Sequence, residues 1–196
     1  MGRKIKQGGN AYFRLLCGEK GFAVFFNCLF IGVAGWVMET LVCSLFYGGL
    51  RDRGFLALPF CPIYAVGLAL YYLVGKKPKG GFVSFLKVAL LIGVVGTLLE
   101  GATGLLLEKM GITLWYYDEG VLPFSLRYIS LPVSLFWALG GAAYLLWAVP
   151  LITRWGERIS QRARRVLTTL VPILLFCDLV FNCVRVVQQG GYTTLY

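Results

Sequence analysis

The sequence predicts an all-α, polytopic integral membrane protein: five transmembrane helices arranged as two parallel helix–loop–helix repeats plus a fifth helix. Three observations lead there. The 196-residue chain is 58% hydrophobic and only 14% charged, whereas soluble domains carry about a quarter charged residues. Apolar runs long enough to cross a hydrocarbon core of about 30 Å recur from end to end. The frame G-V-x-G-x-x-x-E stands twice, at Gly32–Glu39 and at Gly93–Glu100. A transmembrane β-barrel would alternate apolar and polar residues over segments of about ten, and "KVALLIGVVGTLL" does not alternate.

The spans follow in order. The first, Phe22–Tyr47, comes after a basic stretch, as a secretory signal would. Glu39 interrupts it and no A-x-A cleavage site follows, so it reads as a retained helix. The second, Leu58–Val74, opens with Pro59 and Pro62, which a helix start tolerates. Pro62 can instead break the first turn and free carbonyls, as in the interrupted helices of transporters. The third and fourth are Phe82–Leu107 and Ile129–Ile152, and the fifth is Val166–Val187. They make one membrane domain, with residues 22–75 as repeat one, 82–152 as repeat two and 166–187 as the fifth helix.

Charge sets the expected orientation. Thirteen of the nineteen basic residues fall before the first span, between the second and third, and between the fourth and fifth. Basic residues collect on the cytoplasmic side, so the N-terminus is expected inside and the C-terminus outside. The net charge of +10 is thereby explained by topology and attraction to anionic lipid, and nucleic acid is not an expected partner. No histidine and no C-x-x-C pair occur among the six cysteines, so no metal or cofactor is expected.

The repeat is carried by spacing. Gly32, Gly35 and Glu39 recur as Gly93, Gly96 and Glu100 at an offset of 61. "RGFLALP" returns loosely as "RYISLP", and Gly67 and Gly140 each lie eight residues beyond the proline, an offset of 73. Both copies run out, loop and return, so they are parallel repeats about an axis along the membrane normal. The alternative is chance similarity between glycine-rich membrane helices. At 3.6 residues per turn each copy's glycines and glutamate share one stripe. That predicts a crossing of the first and third helices at the glycines, with both carboxyls turned inward in the outer half of the bilayer.

A carboxylate at that depth is costly and needs a partner or water. Candidate site residues are therefore Glu39, Glu100 and Asp178, with Arg53 and Arg127 at the outer rim. Asp178, Asn182 and Arg185 share one face of the fifth helix. An arginine fork suits carboxylate or phosphate. The functional reading is a substrate or ion site; the structural alternative is a set of buried ion pairs that fix helix register.

At "GWVMETL", "RDRGFLALPFCPIYAVG", "GTLLEGATGLLLEK", "LWYYDEGVLPFSLRYISL" and "SLFWALGG" the chain resembles the bacterial ABC-transporter type IV, CmpB-like permeases. The resemblance covers about Phe26 to Leu146. It marks Trp36, Glu39, Arg53, Gly54, Phe55, Pro59, Pro62, Tyr64, Gly96, Glu100, Gly104, Trp115, Tyr117 and Trp137 as family-pattern positions, which adds Trp36, Tyr64 and Trp115 to the candidate substrate-binding set. The second outer loop departs from the pattern: Ser125, Arg127 and Tyr128 stand where asparagine and glycine are usual. The resemblance implies a permease in the bacterial cytoplasmic membrane. No G-x-x-x-x-G-K-[ST] occurs, so any ATPase is a separate subunit docking on the short cytoplasmic loops. Membrane lipids and a second copy of the chain are the other expected partners. The competing readings are a lipid-headgroup-binding protein or enzyme, and a non-catalytic assembly factor. No nucleophile–base motif speaks for an enzyme, although carboxylate chemistry needs none.

Overall fold

A computed structural model describes residues 18–49, 55–74, 80–117, 123–189 and 192–193. About 80% of it is helical, in five rods. Helix α1 is Glu19–Tyr47, α2 is Pro62–Val74 and α3 is Phe82–Lys109. Helix α4 is Leu131–Glu157 and α5 is Gln161–Gln189. Four of the five, all but α2, are long and apolar enough to cross a membrane.

The short helix corrects the sequence reading. A span was expected over Leu58–Val74, but α2 has 13 residues, about 20 Å at 1.5 Å per residue. Its start explains why. Pro62 is the first helical residue, and the chain before it turns back on α1: the Cys61 N–H donates to the Gly32 carbonyl at 2.9 Å, and the Phe60 N–H to the Leu58 carbonyl at 2.7 Å. Gly32 lies 13 residues into α1, about 20 Å along its axis. Helix α2 therefore begins beside the middle of α1, and non-helical chain occupies the rest of that level. Such backbone persists at membrane depth only where protein satisfies its polar groups. Here Asp178 of α5 does so, accepting from the N–H groups of Ala57 at 3.2 Å and Leu58 at 2.9 Å.

The glycine stripes are a second correction. They do not bring α1 and α3 against each other; each faces the helix that follows it. A Cβ on Gly32 would collide with the Phe60 ring, and one on Gly35 with the Tyr64 ring, while one on Gly93 would meet Ala138 at 3.0 Å and one on Gly96 the Trp137 side chain at 3.7 Å. At Gly32, Gly35 and Gly96 the space is taken by aromatic side chains, and only at Gly93 does another backbone, that of α4, come near. The main packing pairs are accordingly α1 with α2, α3 with α4, α2 with α3, and α1 with the second half of α4.

Helix α4 widens to a π turn at Tyr144–Ala148, with the Val149 N–H reaching the Tyr144 carbonyl. Pro150 has no N–H to offer Leu146, and its ring needs room there. The Tyr144 hydroxyl donates to the Asn27 carbonyl at 3.0 Å, and Asn27, fully buried, donates to Thr153 Oγ1 at 3.0 Å. Arg164 closes the α4–α5 corner: it is buried, donates to the carbonyls of Gly156, Glu157 and Ile159, and lies 5.0 Å from the Phe22 ring centre.

At the opposite end lie four two-residue strands. Strand β1 (Ile112–Thr113) pairs in parallel with β4 (Tyr192–Thr193), and β2 (Ser125–Leu126) in antiparallel with β3 (Ile129–Ser130). The fourth span, expected from Ile129, thus starts two residues later because Ile129–Ser130 complete the hairpin. Its two-residue turn places Arg127 at φ +47°. The hairpin packs back on α3: a Cβ on Gly104 would lie 2.5 Å from Tyr128, and one on Gly101 2.7 Å from Ile129. No disulfide joins Cys43 to Cys61.

Candidate functional site

Glu100 is the most enclosed acidic group among the described residues, 3% exposed on α3. Its Oε1 accepts from the Tyr117 hydroxyl at 2.6 Å. Its Oε2 is buried with no hydrogen-bond partner, with the Trp137 indole close by. Glu39, half-buried on α1, takes a hydrogen bond from Tyr64 and lies 3.9 Å from the Cys61 thiol. Cys61 and Tyr64 belong to the start of α2, so Glu39 faces a helix N-terminus, where negative charge is favoured. Glu39 and Glu100 are near enough for their charges to act on each other.

Between the two acids, Tyr64 and Trp137 stack with ring centres 4.3 Å apart and planes at 24°. Tyr64 is thus tied to Glu39, Trp137 lies close to Glu100, and the two rings hold each other. Both also line a partly open cavity of about 210 Å³ between α1, α2, α3 and α4, which runs past Gly67 and Gly140 to Tyr71 and Tyr144. Its walls are almost wholly carbon. The glutamates are not part of that lining, so the aromatic pair stands between the carboxyls and an apolar cavity.

The remaining sequence candidates are placed elsewhere. Trp36 sits three residues before Glu39 and is half-buried. Arg127 is exposed and pairs with Glu108, not Glu100, with its guanidinium 5.4 Å from the Tyr128 ring centre. Trp115 donates from its indole to the Tyr128 carbonyl at 3.3 Å and meets that ring edge-on. Asp178 holds the backbone before α2 and also accepts from Asn182 at 2.8 Å. Arg53 lies outside the described residues, as do Arg51, Asp118 and Glu119.

Tyr117 and Trp137 are the two residues that sequence reasoning left out of the candidate set. Tyr117 joins the hairpin to the acid site: its N–H donates to the Arg127 carbonyl at 2.8 Å while its hydroxyl holds Glu100. Both were marked as pattern positions, and that was the available signal. Without that resemblance, an aromatic residue in an outer loop reads as part of an interfacial belt.

Chemically, the site offers two carboxyl groups in a shielded setting, one with a vacant acceptor. That suits a proton, a cation or a hydrogen-bond donor. No group of three or more metal-ligating side chains occurs among the described residues.

The sequence profile of the family described as "Putative ABC-transporter type IV" matches residues 24–183. The chain belongs to this family. The match spans every element that builds the acid site and the cavity. No curated protein and no solved structure matches the chain.

Proposed function

We propose that this member of the ABC-transporter type IV family is a small permease, or the membrane subunit of a transporter, that holds its solute or a coupling proton at Glu39 and Glu100. The observation that carries the reading is Glu100 itself: a buried carboxyl with one oxygen unpartnered, within range of the charge on Glu39. A group that costly at membrane depth, left half-satisfied, is expected where something else completes it. By the charge distribution the site lies in the outer half of the bilayer, with the N-terminus cytoplasmic. Family membership supports a partner ATPase, which would be a separate chain because no P-loop is present.

The alternatives weigh unequally. A purely structural charge network would close on itself, and the vacant Oε2 and adjoining cavity count against that. Lipid-headgroup binding is favoured by one feature, the carbon lining of the cavity, which points to a solute with an apolar part.

The test compares solutes retained by cells lacking the protein with those in cells expressing wild type, Glu39→Gln or Glu100→Gln. A permease working through these groups predicts a solute whose distribution wild type restores and neither variant does at equal membrane abundance. Full restoration by both variants removes the carboxyls from the mechanism.

A further inference from the structure

The cavity below the acid site has an internal regularity. Gly67 and Gly140, Tyr71 and Tyr144, and Tyr64 and Trp137 all line it, and each pair is separated by 73 residues. The lining residues of α1 find counterparts in α3 at the separation of 61 that relates Glu39 to Glu100. Only Leu91 and Leu145 lack a counterpart in the walls. Gly35 with Gly96 and Gly67 with Gly140 belong to the motifs that set those offsets; the other lining pairs, among them Ile31 with Ile92, Met38 with Leu99 and Tyr71 with Tyr144, were not used to set them. Such matched walls are what two parallel hairpins related by one axis would produce.

We propose that this cavity is a binding site for the apolar chain of an amphiphile drawn from the membrane, whose cationic or hydrogen-bond-donating head is held by Glu39 and Glu100. The inference rests on the acid site proposed above and names its substrate class. Three features select that class. The walls are carbon, so a polar solute would lose its hydration without replacement there. The cavity's end abuts the Tyr64–Trp137 pair, of which Tyr64 bonds to Glu39 and Trp137 lies close to Glu100. Carboxylates repel an anionic head and accept from a donor. The Tyr64–Trp137 stack closes the space between tail and head sites, so occupancy of both requires those rings to part.

Gly67 and Gly140 give a clean way to fill the space. A Cβ on Gly140 meets nothing within 4 Å, and one on Gly67 meets only Leu99, at 3.9 Å. Either position can carry a side chain into the cavity without colliding with backbone. The probes are hexadecylamine and hexadecanoic acid, each with a diazirine at the chain end, photolysed with the full-length protein in vesicles of phosphatidylcholine. Labelled residues are mapped by mass spectrometry, with exposed Leu45 as the lipid-contact reference. The amine is expected to label around Tyr71 and Tyr144 above that reference. Gly140→Phe and, on the opposite wall, Gly67→Leu are expected to cut this labelling about tenfold, equivalent to about 1.4 kcal/mol of binding, with helical content unchanged. The acid is expected to label the cavity several-fold less than the amine, and Glu100→Gln to narrow that difference. Labelling of the cavity at or below the lipid reference overturns the inference, as does labelling that both filled variants leave intact. If the cavity is labelled but Glu39→Gln and Glu100→Gln both restore solute distribution, the tail site stands and the acid site falls. The reverse pattern sinks the tail site alone.

Discussion

Asp178→Ala removes a side chain that holds the non-helical approach to α2. Asp178 accepts from two backbone N–H groups, at Ala57 and Leu58, that no helix can satisfy. A hydrogen bond to a charged group contributes about 1.5–3 kcal/mol. Two such bonds set a ceiling of about 3–6 kcal/mol, and local rearrangement of the freed N–H groups recovers part of it. The expected loss is about 2–4 kcal/mol. Asp178→Asn keeps one acceptor oxygen and turns an amide donor toward the other N–H, so it should lose at least half as much. The assay is reversible unfolding in detergent, read together with hydrogen exchange at Ala57 and Leu58. Both variants should speed exchange at those two amides while exchange across α3 follows only the global loss. A fully stable Asp178→Ala with unchanged protection at Ala57 and Leu58 would refute the idea that this carboxylate is a backbone tie. It would return Asp178 to the solute-binding candidates.

Other outcomes follow from the same contacts. Tyr117→Phe leaves Glu100 Oε1 buried without its donor and should destabilise the protein by about 1–3 kcal/mol; the solute profile should approach that of Glu100→Gln, which the cell-based comparison reads directly. Gly104→Ala puts a methyl 2.5 Å from the Tyr128 ring and should cost about 1–3 kcal/mol by overpacking, whereas Gly140→Ala should be neutral or gain up to about 1 kcal/mol from helix propensity; thermal unfolding of the pair in one detergent separates them. Arg164→Gln withdraws guanidinium donors from three carbonyls at the α4–α5 corner, and proteolysis near Ile159 should become faster than in wild type.

Much of the architecture was legible because the bilayer restricts the choices. Apolar length gave the long helices directly, and the glycine spacing announced close approach correctly. Spacing does not say what approaches, however. A glycine stripe admits a helix backbone or an aromatic ring, and here Gly35 makes room for Tyr64 and Gly104 for Tyr128. The shortening of α2 was hidden for a related reason. Hydropathy is continuous from Leu58 to Val74, and the residue that stabilises the irregular half, Asp178, lies about 120 positions away. Charged residues could be nominated but not paired: Arg127 had Glu100, Glu108, Asp118 and Glu119 within sequence reach, and the hairpin turn delivers it to Glu108. The carboxyls were nominated from their cost at membrane depth, while their bridging rings became visible only once α2 and α4 were brought together.

Cross-linking of Glu39→Cys to Glu100→Cys, in a chain whose six native cysteines are replaced by serine or alanine, tests the central claim most directly. With a short, membrane-permeant bis-thiol reagent, a shared acid site predicts an intramolecular link recovered as one joined peptide pair, and none when either cysteine is absent. Efficient single modification at both positions with no joined peptide would place the two side chains in separate surroundings and contradict the account.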